Sequence, residues 1–515
     1  MPSETAPPAR RSLMGSGGAQ FAGQALGLLL ALVVSHLIAR RMGVGADADA
    51  FLLGRRLITA VTEALNQIVV VVFIPLVAAQ AAGGAGIWRI VVRSGGGALL
   101  TGLALAILFL VGAPWIVDTV APDFDAETAA LATRVMWILS LALPPTVATV
   151  ALAAYCNVRG RFAAVAAVRQ LPRAAVAVAL LAGSGGLALV AAGAYTVGTV
   201  AVTGIMLLTA LRLSRGPAIE PARAARPGKA SKNVGAAVIL AGGAMVVLWI
   251  ETAVAAASGS GGVAMLDYSQ RLGALLGNTL AMALTLVVFA DMSRRVADGE
   301  SAELGPCFNR AVWTGLALMI PVTAGVVVNA PAIIELVLGY GEFASTDIRG
   351  ELIVLTRWMA VAPLGVLVLR MMFVRVLAEP TLPVTRIVLM GTLADIAIRV
   401  MLFRVLTPVL GLTGIPVTLI VAPLAPMLVM AVWLRRRHVF RGVAIPSSVV
   451  RPLLAVALAT GLAIVGGAWL GSGLQAWLSL GSKEAALAGL VSSALAGAVV
   501  LGVAVVVLRI RPRLK

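Results

Sequence analysis

The sequence predicts an all-α polytopic membrane protein with about fourteen transmembrane helices. They form two six-helix lobes related by pseudo-two-fold symmetry, plus two extra C-terminal helices. Three observations predict this. Of 515 residues, 60% are hydrophobic and 12% are charged, and mean hydropathy is +1.01. A soluble chain has about 45–50% apolar and about 25% charged residues. Apolar runs recur at the length of about 20 residues that a helix needs to cross a bilayer. The net charge of +18 comes from 40 Lys+Arg against 22 Asp+Glu, and the basic residues gather in short loops, as membrane topology produces. This composition excludes a soluble enzyme, a disordered chain and a nucleic-acid-binding module.

The elements follow in order. Residues 1–19 are polar and rich in Pro and Gly, and read as a cytoplasmic tail. No convincing cleavage site follows the first apolar run, so that run reads as a retained span. Spans are expected near 20–39, 57–80, 95–113, 129–154, 162–183 and 186–211, which make an N-lobe over 20–211. The stretch 212–233 is the longest basic linker and contains Pro217, Pro221 and Pro227. Spans near 234–257, 267–290, 311–331, 352–377, 383–406 and 409–434 make a C-lobe over 234–434. A basic cytoplasmic loop (435–450), a terminal pair of spans over 451–508 (near 451–470 and 484–508) and a basic tail (509–515) complete the order.

Loop charge tests the count, because cytoplasmic loops are enriched in Lys and Arg. With Arg10 and Arg11 inside, loops after even-numbered spans must be inside too. They carry Arg89 and Arg93, Arg159 and Arg161, Arg212 to Lys232, Arg294, Arg295 and Arg310, and Arg435 to Arg441. Opposite loops carry Asp118, Asp123, Asp125 and Glu127, or Glu342 and Asp347. One loop breaks the rule: Arg40, Arg41, Arg55 and Arg56 fall on the expected outside, with Asp47 and Asp49 between them. Six spans per half is an even number, so the halves are expected to be parallel repeats about an axis along the membrane normal.

Several short runs then become recognisable. Ala39-Arg40-Arg41-Met42-Gly43-Val44-Gly45 with Ala48-Asp49-Ala50-Phe51 resembles the ARxFGxGxxxDAF run of the MviN/MurJ lipid II flippase family of the MOP exporter superfamily. Phe73-Ile74-Pro75 is similar to the family's FVP. Asp267-Tyr268-Ser269-Gln270-Arg271-Leu272 resembles its YxxRL, and Leu338-Gly339-Tyr340-Gly341-Glu342-Phe343 resembles its LFxYGxF. The matches run in order from about residue 15 to 430.

The resemblance implies a V-shaped pair of lobes around a cationic cavity. The cavity would capture the diphosphate of a polyprenyl-linked cell-wall precursor, which alternating access carries to the outer leaflet. The implied partners are the lipid-linked glycan, membrane lipids and cell-wall synthesis proteins, with a monomeric chain in the bacterial cytoplasmic membrane and both termini in the cytoplasm. The family's cavity arginines lie in helices one, two and eight. Arg271 matches the eighth-helix one. The first span has no arginine, and Gln24 stands ahead of Leu26-Gly27. The second-helix arginine falls on Thr62, or on Val61 with a one-residue gap, and the family's acidic residue there falls near Asn66 or Gln67.

Polar groups inside spans are costly and default to function. Arg271 reads as a diphosphate ligand, because a guanidinium fork matches phosphate oxygens; the plainer reading is an arginine snorkelling to the interface. Glu63, Asn66 and Gln67 share a helix face by their i, i+3, i+4 spacing, directed at a cavity or serving as interhelical glue. Arg169 and Arg173 flank Pro172 at i, i+4, and either replace the missing arginines or lie at the membrane surface. Asp49 belongs to the family motif, or balances the nearby arginines. Coupling or gating candidates are Glu251, partnered by an arginine such as Arg357 or Arg370, and Asp395 with Arg399, which at i, i+4 read as a local ion pair. Pro144-Pro145 and Pro423/Pro426 read as kinks.

No enzyme constellation appears: no phosphate-cradling Gly-rich loop with Lys-Ser/Thr, no metal spacing among Cys156, Cys307, His36 and His438, and no nucleophile triad. No cofactor is expected, and energy would come from an ion gradient or the membrane potential. The alternatives are an exporter of another lipid-linked repeat unit, a cation-coupled multidrug antiporter, and a non-transporting cell-wall scaffold.

Overall fold

The computed structural model describes the backbone of residues 10–82, 87–158, 161–214, 234–298, 300, 304–379, 382–436, 447–478 and 481–507. Residues 1–9 of the expected tail, 215–233 of the linker, 437–446 of the basic loop and 508–515 lie outside the described residues. Among those described, every regular element is a helix. Among the described residues, nine helical stretches are long and apolar enough to cross a membrane, and one of them, Val384–Arg436, runs through two successive segments.

The chain divides into two compact units, Met1–Gly261 and Gly262–Lys515. The first holds α1 (Arg10–Met42), α2 (Ala46–Ala82), α3 (Ile87–Val120), α4 (Ala126–Ser140), α5 (Leu143–Val158), α6 (Phe162–Val168), α7 (Leu171–Ala182), α8 (Leu187–Ser214) and α9 (Val234–Ala256). Helix α9 packs against α2, so the seventh expected span belongs to this unit. The second unit holds α10 (Gly262–Ser269), a π-helical turn (Gln270–Ala274), α11 (Leu275–Ala297), α12 (Leu304–Val337), α13 (Arg349–Ala378), α14 (Val384–Leu410), α15 (Gly414–Val421), α16 (Leu424–Arg436), α17 (Ser447–Leu478) and α18 (Ser482–Val507). Its terminal hairpin, α17 and α18, packs on α12.

Breaks fall where the backbone chemistry demands them. The fourth span bends between α4 and α5, just before Pro144-Pro145, and the twelfth bends at Ala422–Pro423 between α15 and α16. Proline supplies no N–H and crowds the carbonyl four residues back. Helices approach closely through glycine. A Cβ on Gly54 would meet the Val135 side chain at 3.0 Å, and one on Gly467 would meet the Ser492 carbonyl oxygen at 2.7 Å. Lipid tails are as apolar as leucine, so close backbone packing replaces hydrophobic drive between such helices. The same solvent explains the exposed Leu100, Val111, Val197, Val409 and Leu462.

One expectation needs correction. Arg55 and Arg56 do not lie in an outside loop. Helix α2 starts at Ala46, eleven residues before the apolar run, and both arginines are buried within it. The polar first turns of α2 are covered by neighbouring helices, which removes the break in the charge rule at these two positions.

Candidate functional site

In the first unit the site starts at a turn. Gly43 has φ +61°, a left-handed conformation that ends α1 without a side-chain penalty. Three residues on, α2 begins, and Asp49 in its first turn is 1% exposed. The Gly261 backbone N–H donates to Asp49 Oδ2 at 2.6 Å. Gly261 has φ +87°, and a Cβ there would collide with the Val44 side chain. Asp49 therefore fixes the chain at the end of this unit.

Further along α2, the Arg55 guanidinium stacks on the Phe51 ring, 5.6 Å from its centroid, a cation–π contact made by i, i+4 spacing. Arg56 Nε donates to Thr252 Oγ1 of α9 at 3.1 Å. The Thr252 hydroxyl in turn donates to the Leu248 carbonyl at 2.7 Å. Glu251, beside Thr252, is 6% exposed. Desolvated arginines persist only when paired or hydrogen-bonded, and α9 supplies that environment for α2.

The other expected residues of this unit spread out. The Thr62 hydroxyl, buried, donates back to the Thr59 carbonyl at 2.9 Å, so it is satisfied within its own helix. Glu63 is exposed. The side chains of Gln24, Asn66, Gln67 and Phe73 to Pro75 lie outside the described ones. Arg169 and Arg173 do not lie on one continuous helical segment. The helix breaks at Arg169–Gln170 ahead of Pro172, leaving Arg169 exposed at the break and Arg173 in α7. Arg173 Nη1 donates to Gln170 Oε1 at 2.5 Å.

In the second unit Arg271 lies on the π-helical turn Gln270–Ala274. Its Nε donates to Asp267 Oδ2 at 2.7 Å, and the two side chains are 21% and 7% exposed. The widened π turn is where a helix departs from its ladder, which is common at functional sites. Gly273 permits it: a Cβ there would lie 2.6 Å from the Thr356 carbonyl oxygen of α13. Tyr268 packs edge-on to Phe343, with centroids 6.3 Å apart, so two of the sequence runs meet in space.

Arg399 Nε donates to Asp395 Oδ2 at 2.9 Å. Arg357 Nε donates to the Val327 carbonyl. Sequence reading missed the i, i+4 pair Arg375 and Glu379, at 3.1 Å with 2% and 9% side-chain exposure; its spacing was the available signal. It also missed Arg55 and Arg56, for which a second basic pair beside the motif aspartate was the signal.

A bundle of apolar helices with arginines held on acids inside them defines a polytopic membrane protein. The model of the MurJ lipid II flippase family matches residues 38–482. The chain belongs to that family. A solved lipid II flippase MurJ in an inward closed conformation is 15% identical, covers 95% of this chain and 99% of its own, and superposes with TM-score 0.70. An inward-facing multidrug resistance MATE transporter of the MOP superfamily is 17% identical, with 80% and 94% coverage and TM-score 0.63. A MOP superfamily transporter from Pyrococcus furiosus, described as having a binding pocket of reverse polarity, is 16% identical, with 81% and 93% coverage and TM-score 0.57. No curated protein matches the chain significantly.

Proposed function

We propose that this protein moves a polyprenyl-diphosphate-linked cell-wall precursor, lipid II or a close relative, from the cytoplasmic to the outer leaflet by alternating access. The observation that carries this reading is Arg271, held at 2.7 Å by Asp267 on a π turn of a chain in the lipid II flippase family. Arg271 sits nine residues beyond Gly262, about 14 Å along the helix at 1.5 Å per residue. It lies five residues ahead of the apolar stretch Leu276–Val296. A guanidinium there binds phosphoryl oxygens through forked donors. The Asp267 carboxylate orients it and offsets its charge when no substrate is bound, so the exchange of carboxylate for phosphate sets the strength of capture.

The bacterial cytoplasmic membrane, with both termini in the cytoplasm, is the matching location. The membrane potential is the matching energy source. Outward movement of a negative head group is favoured by about 2.3 kcal/mol per charge per 100 mV when the interior is negative.

A second reading is an exporter of another lipid-linked repeat unit. Thr62, where the family carries an arginine, is occupied with its own helix backbone, which favours a head group recognised by other cations. Complementation tests both. A cell depleted of its essential lipid II flippase should grow when this chain is supplied and should fail with Arg271→Ala. Transport of a different lipid-linked glycan, without rescue, would select the second reading. Rescue that survives Arg271→Ala would show that transport does not need Arg271.

A further inference from the structure

The first unit brings together a second group of cations that neither the family pattern nor sequence spacing places together. Arg41 at the end of α1 donates to the Gly183 carbonyl at the end of α7. The α1–α2 turn and the α7–α8 turn therefore lie at the same end of this unit. Depth can be counted from that end at 1.5 Å per residue. Arg55 lies nine residues after Ala46, about 14 Å in. Arg173 lies ten residues before Gly183, about 15 Å in. Tyr195 lies eight residues after Leu187, about 12 Å in. All three lie about 12–15 Å along their helices from that end.

Lateral contacts agree with the depth count. Helices α7 and α8 touch at this level: a Cβ on Gly198, one turn beyond Tyr195, would lie 2.7 Å from the Cα of Pro172, next to Arg173. Helix α8 also packs on α2. The Tyr195 phenol lies beside the Thr59 side chain, within electrostatic reach of Arg55, Arg173 and Glu63. Gln170, which accepts from Arg173, presses against Gly27 of α1, where a Cβ would meet its Oε1 at 2.8 Å. Four helices thus converge on one polar spot. Its charged groups are two guanidiniums and one carboxylate, a net positive balance. Arg55 is the most deeply buried of the three at 9% exposure, while Arg173 and Glu63 are exposed.

We propose that Arg55, Arg173 and the Tyr195 hydroxyl form a phosphate-binding station inside the first unit, taking the phosphoryl groups of the polyprenyl diphosphate. The inference rests on the flippase reading for the identity of its ligand. The chemistry suits a diphosphate: two planar forks supply donors to two phosphoryl groups, and a phenol adds a neutral donor. Glu63 supplies the competing charge that keeps binding reversible. The positions that the family fills with arginines in helices one and two are here uncharged or occupied, and this cluster supplies cationic charge from another position on α2 and from α7.

The test uses the full-length protein in nanodiscs. Binding of undecaprenyl diphosphate is compared with binding of undecaprenol, which has the same tail and no phosphate. Arg55→Gln and Arg173→Gln should each weaken diphosphate binding about tenfold or more, and Tyr195→Phe about threefold, with undecaprenol binding unchanged. Arg55→Lys should recover part of the loss, and Glu63→Gln should tighten binding. Arg173 is exposed, so its variant tests the station even where a substitution at buried Arg55 impairs folding. If Arg271→Gln weakens diphosphate binding while Arg173→Gln and Tyr195→Phe do not, the station is wrong and the flippase reading stands. If the unaltered protein shows no preference for diphosphate over undecaprenol, the station and the flippase reading both fall.

Discussion

Arg55 and Arg56 show how one residue's meaning depends on its surroundings. In the sequence they are two more basic residues in a stretch that breaks the charge rule. In the fold one stacks on Phe51 and the other reaches Thr252. Arg271 is the opposite case: motif spacing picks it out, and the π turn and Asp267 add the means of holding it. Replacing it with lysine keeps the charge and loses the fork. Arg271→Lys should hold diphosphate-lipid affinity within about threefold and lower the transport rate about tenfold, roughly 1.4 kcal/mol of barrier, read in vesicles with an imposed potential. Equal transport by both proteins would remove the bidentate role.

Outside the membrane, Asp125 caps α4. Its Oδ2 accepts the Thr128 N–H at 3.2 Å and its Oδ1 accepts the Thr128 hydroxyl at 2.6 Å. These bonds, the side-chain one first, hold the carboxyl below its usual value near 3.8. A lowered folded pKa means that the capping contribution is present above the unfolded value and is lost as pH falls through the folded one. Asp125→Ala should therefore lower Tm at pH 7, and the gap should close below about pH 4. A gap that persists in acid would mean the effect is not the ionised cap.

At the scale of elements, the π turn is where α10 and α11 accommodate α13. Its formation depends on Gly273, since a Cβ would sit 2.6 Å from the Thr356 carbonyl oxygen, a backbone atom with no rotamer to escape into. Gly273→Val should destabilise by about 1–3 kcal/mol, the usual cost of overpacking, and should reduce transport as Arg271 is displaced. A thermal midpoint unchanged from that of the unaltered protein would show that the turn can shift. The break at Arg169–Gln170 works differently. Pro172 leaves backbone carbonyls of the preceding turn without their helical donor, and α7 can then carry Arg173 toward α8. Pro172→Ala should straighten the α6–α7 segment, which spin labels at Ala164 and Ala179 would read as a longer separation.

For the whole molecule, the parity of basic loops makes a topological prediction. In intact cells a cysteine at Ser231 should resist a membrane-impermeant thiol reagent, and one at Ser345 should react. The reverse pattern would overturn the orientation. Ser345 lies exposed in the 3-10 turn Gly341–Ser345 between α12 and α13. The second unit also has a fixed attachment for its terminal hairpin. Glu335 of α12 pairs with Arg349 at 2.7 Å and accepts from Ser482 at 3.4 Å, while Lys483 sits over the Tyr340 ring. Ser493 donates to Asn329 between buried side chains. The hairpin is thus tied to α12 at its turn and along its length.

The sequence by itself determined the class of this protein: an all-helical membrane chain, with its helices in the order of the apolar runs. Lipid accounts for that legibility. A helix that crosses it must be apolar over about 20 residues and satisfy its own backbone, so each span is written locally. The i, i+4 pair Asp395 and Arg399 was legible for the same reason, because one helix turn makes it. Only the tertiary structure decided which charges are buried together. Polar first turns of α2 hide Arg55 and Arg56 because α9 and its neighbours cover them, and α9 joins the first unit through packing that no local pattern records. Whether a charge faces lipid, water or a phosphate is fixed by residues far away in the chain, and spacing along one helix does not carry that information.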